Sequence, residues 1–281
     1  MTTQKGDVYF KAVTPAYNFE IRLTEFLTHN WPSIAPNLLA CDADKGWLLM
    51  QDGGCRLREV LQAAPDLERW ESVLGLYAQL QQQSMPYVAQ LLDLEVPDRR
   101  LEVLLDAYGQ FLTQPERLVC DELTEVEVDR LLESRSMIED CVYSLESLGI
   151  GSSLDHGDFH DGNIFVHQSG YVFFDWGDAG LTHPFFSLRT VFVSLENSLG
   201  FEEDDPIFNR LSEHYLHQWT AWGSLPALQR AYLISKPLAS LNTAVRWQAA
   251  IDDLYEEDRP AFHSYVPSLL SEVLIYLDDL M

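Results

Sequence analysis

Apolar and polar positions alternate in two regimes along this chain. Residues 7–13 (Asp-Val-Tyr-Phe-Lys-Ala-Val) form a short strand pattern, and residues 38–41 and 47–50 predict two more strands around the turn Asp44-Lys45-Gly46. Between them Phe19, Leu23, Phe26 and Leu27 recur at helical spacing, predicting a helix over 17–29. Further on, helical spacing dominates. Residues 57–64 and 67–83 predict helices, the second with an apolar face of Trp70, Val73, Leu74, Tyr77 and Leu80. Thr124-Glu125-Val126-Glu127 is a capping box, opening one helix whose core face is Val128, Leu131, Leu132, Ile138, Val142, Leu145 and Leu148. A helix is expected from 185 to 195, and Asp205-Pro206 starts another. Residues 224–235, 237–252 and 266–280 predict three more, with Pro237 separating the first two.

One stretch interrupts the helical regime. Residues 164–166 and 171–174 are short strand patterns joined by a turn at Gln168-Ser169-Gly170. Just before them, Asp158 and Asn163 stand at the two ends of one loop, and Asp175 ends the second strand. A hairpin brings Asp175 back beside Asn163, so a carboxylate and an amide oxygen come within reach of one divalent cation. Such hard oxygen ligands suit magnesium, which keeps waters and completes its shell with phosphates. Phosphoryl transfer also requires a carboxylate to receive and orient the attacking hydroxyl, and Asp158 is the candidate. His156 is expected to brace the loop through a backbone hydrogen bond rather than to titrate.

His156-Gly157-Asp158, four residues, Asn163 and then Asp175-Trp176-Gly177 resemble the catalytic and metal-binding loops of the aminoglycoside phosphotransferase and choline kinase group, a branch of the protein-kinase-like fold. The resemblance runs from about residue 8 to at least 189. It implies an α+β, bilobal architecture with a shortened β-rich N-terminal lobe and hinge (1–54) and a large helical C-terminal lobe (55–281) carrying the catalytic loop and substrate site. It implies that Asp158 is the base, that Asn163 and Asp175 hold Mg2+, and that ATP is the phosphate donor. Lys11 matches the strand lysine that contacts nucleotide phosphates, although alternation alone would also place it outward. Glu20 matches its helix partner, with Glu25 in reserve. Gln51 and Asp52 lie in the segment that would hold the adenine ring through backbone groups. The group has two strands and a phosphate-covering loop ahead of the lysine strand. Here ten residues precede Lys11 and Gly6 is the only glycine among them, so that loop is expected to be absent or reduced. An aspartate common in the group near Ser187 is serine here, predicting weaker local bracing.

Composition narrows the partners. A net charge of −26 argues against nucleic acid, whose phosphates call for cationic side chains, and permits a cationic substrate. The run Asp252-Asp253-Leu254-Tyr255-Glu256-Glu257-Asp258 is a candidate cation-attracting rim, and Trp219, Trp222 and Trp247 a candidate aromatic wall, against the plainer readings of a solvated face and core packing. The four cysteines show no metal-binding spacing and read as reduced thiols of a cytoplasmic protein. Residues 1–6 are polar, with no apolar signal region, and no apolar window is long enough to span a membrane. The expectation is an ATP-dependent kinase acting on a hydroxyl of a small, cationic acceptor such as an amino sugar or amino alcohol. A non-catalytic scaffold of the same fold is the alternative, and a metal-dependent hydrolase ranks below both.

Overall fold

The computed structural model describes residues 2–3, 6–64, 66–115, 118–120, 122–167, 170–202 and 204–281. Its first strands close into a four-stranded sheet. Strand β2 (Gly6–Ala12) pairs antiparallel with β4 (Trp47–Gln51) in a register that sets Lys11 opposite Leu48. Strands β1 (Thr2–Thr3) and β3 (Leu38–Asp42) complete the order β1-β2-β4-β3. The predicted turn before β4 needs Gly46: its φ is +71°, and a Cβ there would lie 2.6 Å from the Val13 carbonyl oxygen. Helix α1 (Phe19–Asn30) presents Ile21 to Leu48, Met50 and Phe174, forming a small core that ties sheet and helix together.

A second, three-stranded sheet is built from residues far apart in sequence. The short strand β5 (Cys55–Arg56) pairs with β7 (Ile164–His167), and β7 forms a hairpin with β8 (Gly170–Phe173). Residues Gln168 and Ser169 of the predicted turn lie outside the described residues. Gly53 permits the crossing, since a Cβ there would meet the Phe165 ring at 2.5 Å. Helices α2 (Leu57–Ala63), α3 (Leu67–Ser84) and α4 (Val88–Asp93) follow, and the predicted apolar face of α3 is wholly buried. Strand β6 (Ser153–Asp155) leads into the catalytic-type loop and pairs with β9 (Gly180–Thr182).

The remaining helices are α5 (Leu101–Phe111), α6 (Glu125–Glu133), α7 (Arg135–Glu146), α8 (Ser187–Leu199), α9 (Pro206–His217), α10 (Leu225–Asp252) and α11 (Tyr265–Asp278). Both predicted caps form: Thr124 and Glu127 cap each other's backbone, and Asp205 accepts from the Ile207 N–H. Two expectations fail instructively. The single helix expected after Thr124 is two, broken at Ser134. The Tyr108 hydroxyl (2.7 Å) and the Ser134 hydroxyl (3.0 Å) donate to the Leu131 carbonyl, which a continuous helix would have used for the Arg135 N–H. Leu132, off the buried Val128–Leu131 face of α6, is exposed rather than in the core, while Ile138, Val142 and Leu145 are buried on α7. Conversely, α10 runs straight through Pro237. The missing bond costs about 3 kcal/mol. Burial of Leu228, Leu238 and Leu241 along the same helix, at roughly 1.5–3 kcal/mol each, offsets that cost.

By backbone packing the chain divides into two compact units: Met1–Pro97, Ser153–Leu181 and Thr190–Tyr215 form one, and Asp98–Ser152, Thr182–Arg189 and Leu216–Met281 the other. Lys11, Glu20, Gln51, Asp52, Asp158, Asn163 and Asp175 all belong to the first.

Candidate active site

The loop after β6 is held by its own residues. His156 is fully buried. Its Nε2–H donates to the Phe174 carbonyl at 2.8 Å, and its Nδ1 accepts from the Asp158 N–H at 3.3 Å. Burial pushes its pKa below the ordinary histidine value, which keeps the ring neutral and both bonds in place. His156 is thus the expected brace, and it ties the start of the loop to the residue before Asp175. Gly157 has φ +75°, and a Cβ there would fall 2.0 Å from the Asp178 carbonyl oxygen, so no other residue fits. Beneath the loop, the Tyr77 hydroxyl donates to Asp155 Oδ1 at 2.9 Å and accepts from the His156 N–H at 2.8 Å, while its ring stacks on Phe159.

Strand β8 delivers Asp175 where the hairpin argument requires. Ile164 pairs with Phe173, and the Phe174 N–H donates to the Asn163 carbonyl at 2.9 Å, so Asp175 follows directly beside Asn163. Asp175 itself adopts φ +65°, a left-handed conformation that costs a non-glycine residue roughly 1–3 kcal/mol. The Trp176 indole N–H, donating to the Phe173 carbonyl at 3.0 Å, helps clamp the turn.

Lys11 points inward and joins two acids. Its ammonium lies 2.6 Å from Glu20 Oε1 and 2.5 Å from Asp175 Oδ1. Glu20, not Glu25, is therefore its helix partner. Burial opposes the charge on Lys11, but the two carboxylates outweigh it and hold the pKa above the ordinary lysine value. Burial pushes the Glu20 carboxyl up, partly offset by Lys11. Its second oxygen is buried with no hydrogen-bond partner among the described residues and faces Gly177, where a Cβ would come within 3.2 Å of it.

The Asn163 amide nitrogen donates to the Asp158 carbonyl (3.0 Å) and to Asp158 Oδ2 (3.1 Å). That turns the amide so that its oxygen is the atom left to meet a cation. Asp175 already pairs with one positive charge, the Lys11 ammonium. An amide oxygen plus a carboxylate fits the sparse, all-oxygen protein contribution typical of magnesium. No group of three or more His, Cys, Asp and Glu side chains is arranged to cage a metal by itself among the described residues.

Gln51 and Asp52 lie where β4 ends. The Gln51 N–H donates to the Asn37 carbonyl, the Asp52 N–H donates to the Asp7 carbonyl, and both side chains are exposed. The acidic run 252–258 follows α10 and is exposed for most of its length. Of the candidate aromatic wall, Trp219 and Trp222 pack together at 5.2 Å between ring centroids, with Trp219 fully buried against Phe185, whereas Trp247 packs on Phe262 and Tyr265.

The bracing expected to weaken near Ser187 is supplied from elsewhere. Asp161, inside the loop and 1% exposed, takes Arg58 Nε at 2.8 Å and Nη2 at 2.7 Å, with the Ser194 hydroxyl at 3.1 Å. A carboxylate lodged within such a loop is a signal for a buried partner, but nothing in the sequence points to Arg58 on α2.

The profile of the phosphotransferase enzyme family matches residues 8–228. No curated protein sequence matches. Among solved structures, a choline/ethanolamine kinase family protein from Mesorhizobium loti superposes with a TM-score of 0.64 at 14% identity, over 97% of this chain and 83% of that one. An ethanolamine kinase from Plasmodium vivax gives 0.60 at 14% identity, over 98% and 76%. An aminoglycoside phosphotransferase from Streptomyces rimosus, in complex with ADP and streptomycin, gives 0.51 at 16% identity, over 85% and 88%. At these identities the likeness is one of fold, and the fold is kinase-like, with a small sheet and a larger helical part.

Proposed function

This chain belongs to the phosphotransferase enzyme family, and from that premise we propose that it is an ATP-dependent kinase that phosphorylates a hydroxyl of a small, cationic molecule, an amino sugar or amino alcohol. The observation that carries the proposal is the junction of Lys11 with both Glu20 and Asp175, next to the Asp158–Asn163 contact. A lysine shared between two acids beside a third carboxylate supports this reading, since phosphoryl transfer calls for a lysine, a metal-holding acid and a base.

In this reading Asp158 accepts the proton of the acceptor hydroxyl and orients its oxygen for in-line attack. Lys11, fixed by Glu20, exchanges its bond to Asp175 for phosphate oxygens as nucleotide enters. Asn163 and Asp175 would hold magnesium, which supplies charge screening on the phosphates. The backbone of Gln51 and Asp52 would face the adenine. The net charge of −26 favours a cationic acceptor.

The test is ATP consumption with magnesium across amino-sugar and amino-alcohol acceptors. At least one acceptor should raise ADP release in the wild type, and Asp158→Ala should lower that rate by roughly 10²- to 10⁴-fold, the usual span for a general base. A near-wild-type rate in the variant would remove Asp158 from the chemistry.

A further inference from the structure

His160 takes no part in the chemistry proposed above, yet its ring is pinned at both nitrogens. The Gly162 N–H donates to Nδ1 at 2.9 Å, and Arg58 Nη2 lies 3.4 Å from the same atom. A backbone N–H and a guanidinium can only donate. Nδ1 is therefore the acceptor, and the neutral ring carries its proton on Nε2. Nε2 lies 3.2 Å from Asp158 Oδ2, the oxygen that also accepts from the Asn163 amide.

The Arg58 head group is held in turn by Asp161, so the side that reads Nδ1 is fixed. Gly162 makes room for the arrangement. A Cβ there would come within 2.7 Å of His160 Cε1 and 3.3 Å of Arg58 Cζ.

We propose that His160 is a positioning residue for the base: the Gly162 N–H, backed by Arg58 anchored on Asp161, holds Nδ1 as an acceptor, and the resulting Nε2–H, 3.2 Å from Asp158 Oδ2, orients the Asp158 carboxylate. The terminal torsion of an aspartate is broad, so the Asn163 amide bond to Oδ2, with the His160 Nε2 held 3.2 Å from the same oxygen, narrows the carboxylate to one orientation. The proposal rests on Asp158 being the base, and its tests are chosen to separate the two.

The first test needs no turnover. In the full chain labelled with 15N-histidine, a long-range 1H–15N spectrum should show His160 as the Nε2–H tautomer. An Nδ1–H ring in the wild type overturns the proposal. The second test measures hydrolysis of magnesium-ATP with water as acceptor. His160→Asn keeps an acceptor for the Gly162 N–H but cannot reach Asp158. His160→Gln restores an amide N–H near the Nε2 position. The Asn variant should lose roughly tenfold to a hundredfold in kcat, with KM for ATP unchanged, and the Gln variant should regain most of it. Gly162→Ala, which displaces an intact His160, should resemble the Asn variant. Equal losses in Asn and Gln, with normal dependence on Asp158, overturn this proposal alone. Wild-type turnover in Asp158→Ala overturns the assignment of the base and this proposal with it.

Discussion

Two ion-pair clusters are built from similar parts, a cation and a buried acid, but they are finished differently. In the Arg58–Asp161 cluster the buried carboxylate takes two guanidinium bonds and the Ser194 hydroxyl on one oxygen. In the Lys11–Glu20 cluster the buried carboxylate keeps one oxygen without a partner among the described residues, and its lysine is shared with Asp175, whose side chain is 56% exposed. A buried acid left partly unsatisfied costs stability. The first cluster thus holds a buried carboxylate by several bonds within the loop, and the second shares one lysine between a buried and an exposed acid. On the proposed function, the exposed Asp175 and the Lys11 ammonium are the parts that a phosphate–metal complex would engage.

The most direct way to break this contrast is to remove each cation. Lys11→Met should lower ATP turnover by roughly a hundredfold through lost phosphate positioning, with little change in melting temperature, since a partly unsatisfied buried acid can be protonated instead. Turnover within a few-fold of wild type would make the Lys11 cluster structural. Arg58→Ala should do the reverse to stability. It strands Asp161 without its countercharge, a loss of about 3 kcal/mol, which for a chain of this size is a drop of roughly 6–12 °C in calorimetry. An unchanged melting temperature would show that Asp161 is not held as described.

A smaller effect sharpens the comparison through pH. Because the folded-state pKa of Lys11 is raised above the ordinary lysine value of 10.5, its contribution to stability is fully present below that value and is lost as pH rises through the folded pKa. Glu20 is raised as well, so its own favourable contribution lies below the ordinary glutamate value of 4.5 and is lost as pH rises above it. Urea melts of wild type should weaken above about pH 10.5, and Lys11→Met should flatten that alkaline decline. Glu20→Gln should be the mildest change, near neutral in stability at pH 7. A decline of equal steepness in wild type and Lys11→Met would assign the alkaline limb to other groups.

What could be read in advance follows sequence distance. Asp158, Asn163 and Asp175 were legible because a loop and a hairpin fix their neighbourhood within a few residues. Lys11 and Glu20 were legible through the resemblance, which names a strand lysine and its helix partner, whereas alternation alone would have turned Lys11 outward. Arg58 and Asp161 were not, since they meet across 103 positions and neither has a local pattern that names the other. The helix break at Ser134 depends on a tyrosine from α5, and the unbroken passage through Pro237 depends on burial along α10. In both places packing overrode the local preferences of the chain. The acidic run 252–258 shows the same limit from the other side: its composition suggested a cation, while the aromatic rings expected to accompany it are divided between the core and a separate cluster.

The measurement closest to the central claim is a thermal-shift titration with magnesium-ATP on the wild type and Asp175→Ala. Nucleotide at about a hundred times its dissociation constant should stabilise the wild type by roughly 2.7 kcal/mol, several degrees for a chain of this size. The account predicts that shift in the wild type and its loss in Asp175→Ala. No shift in the wild type, or an equal shift in both proteins, would contradict it.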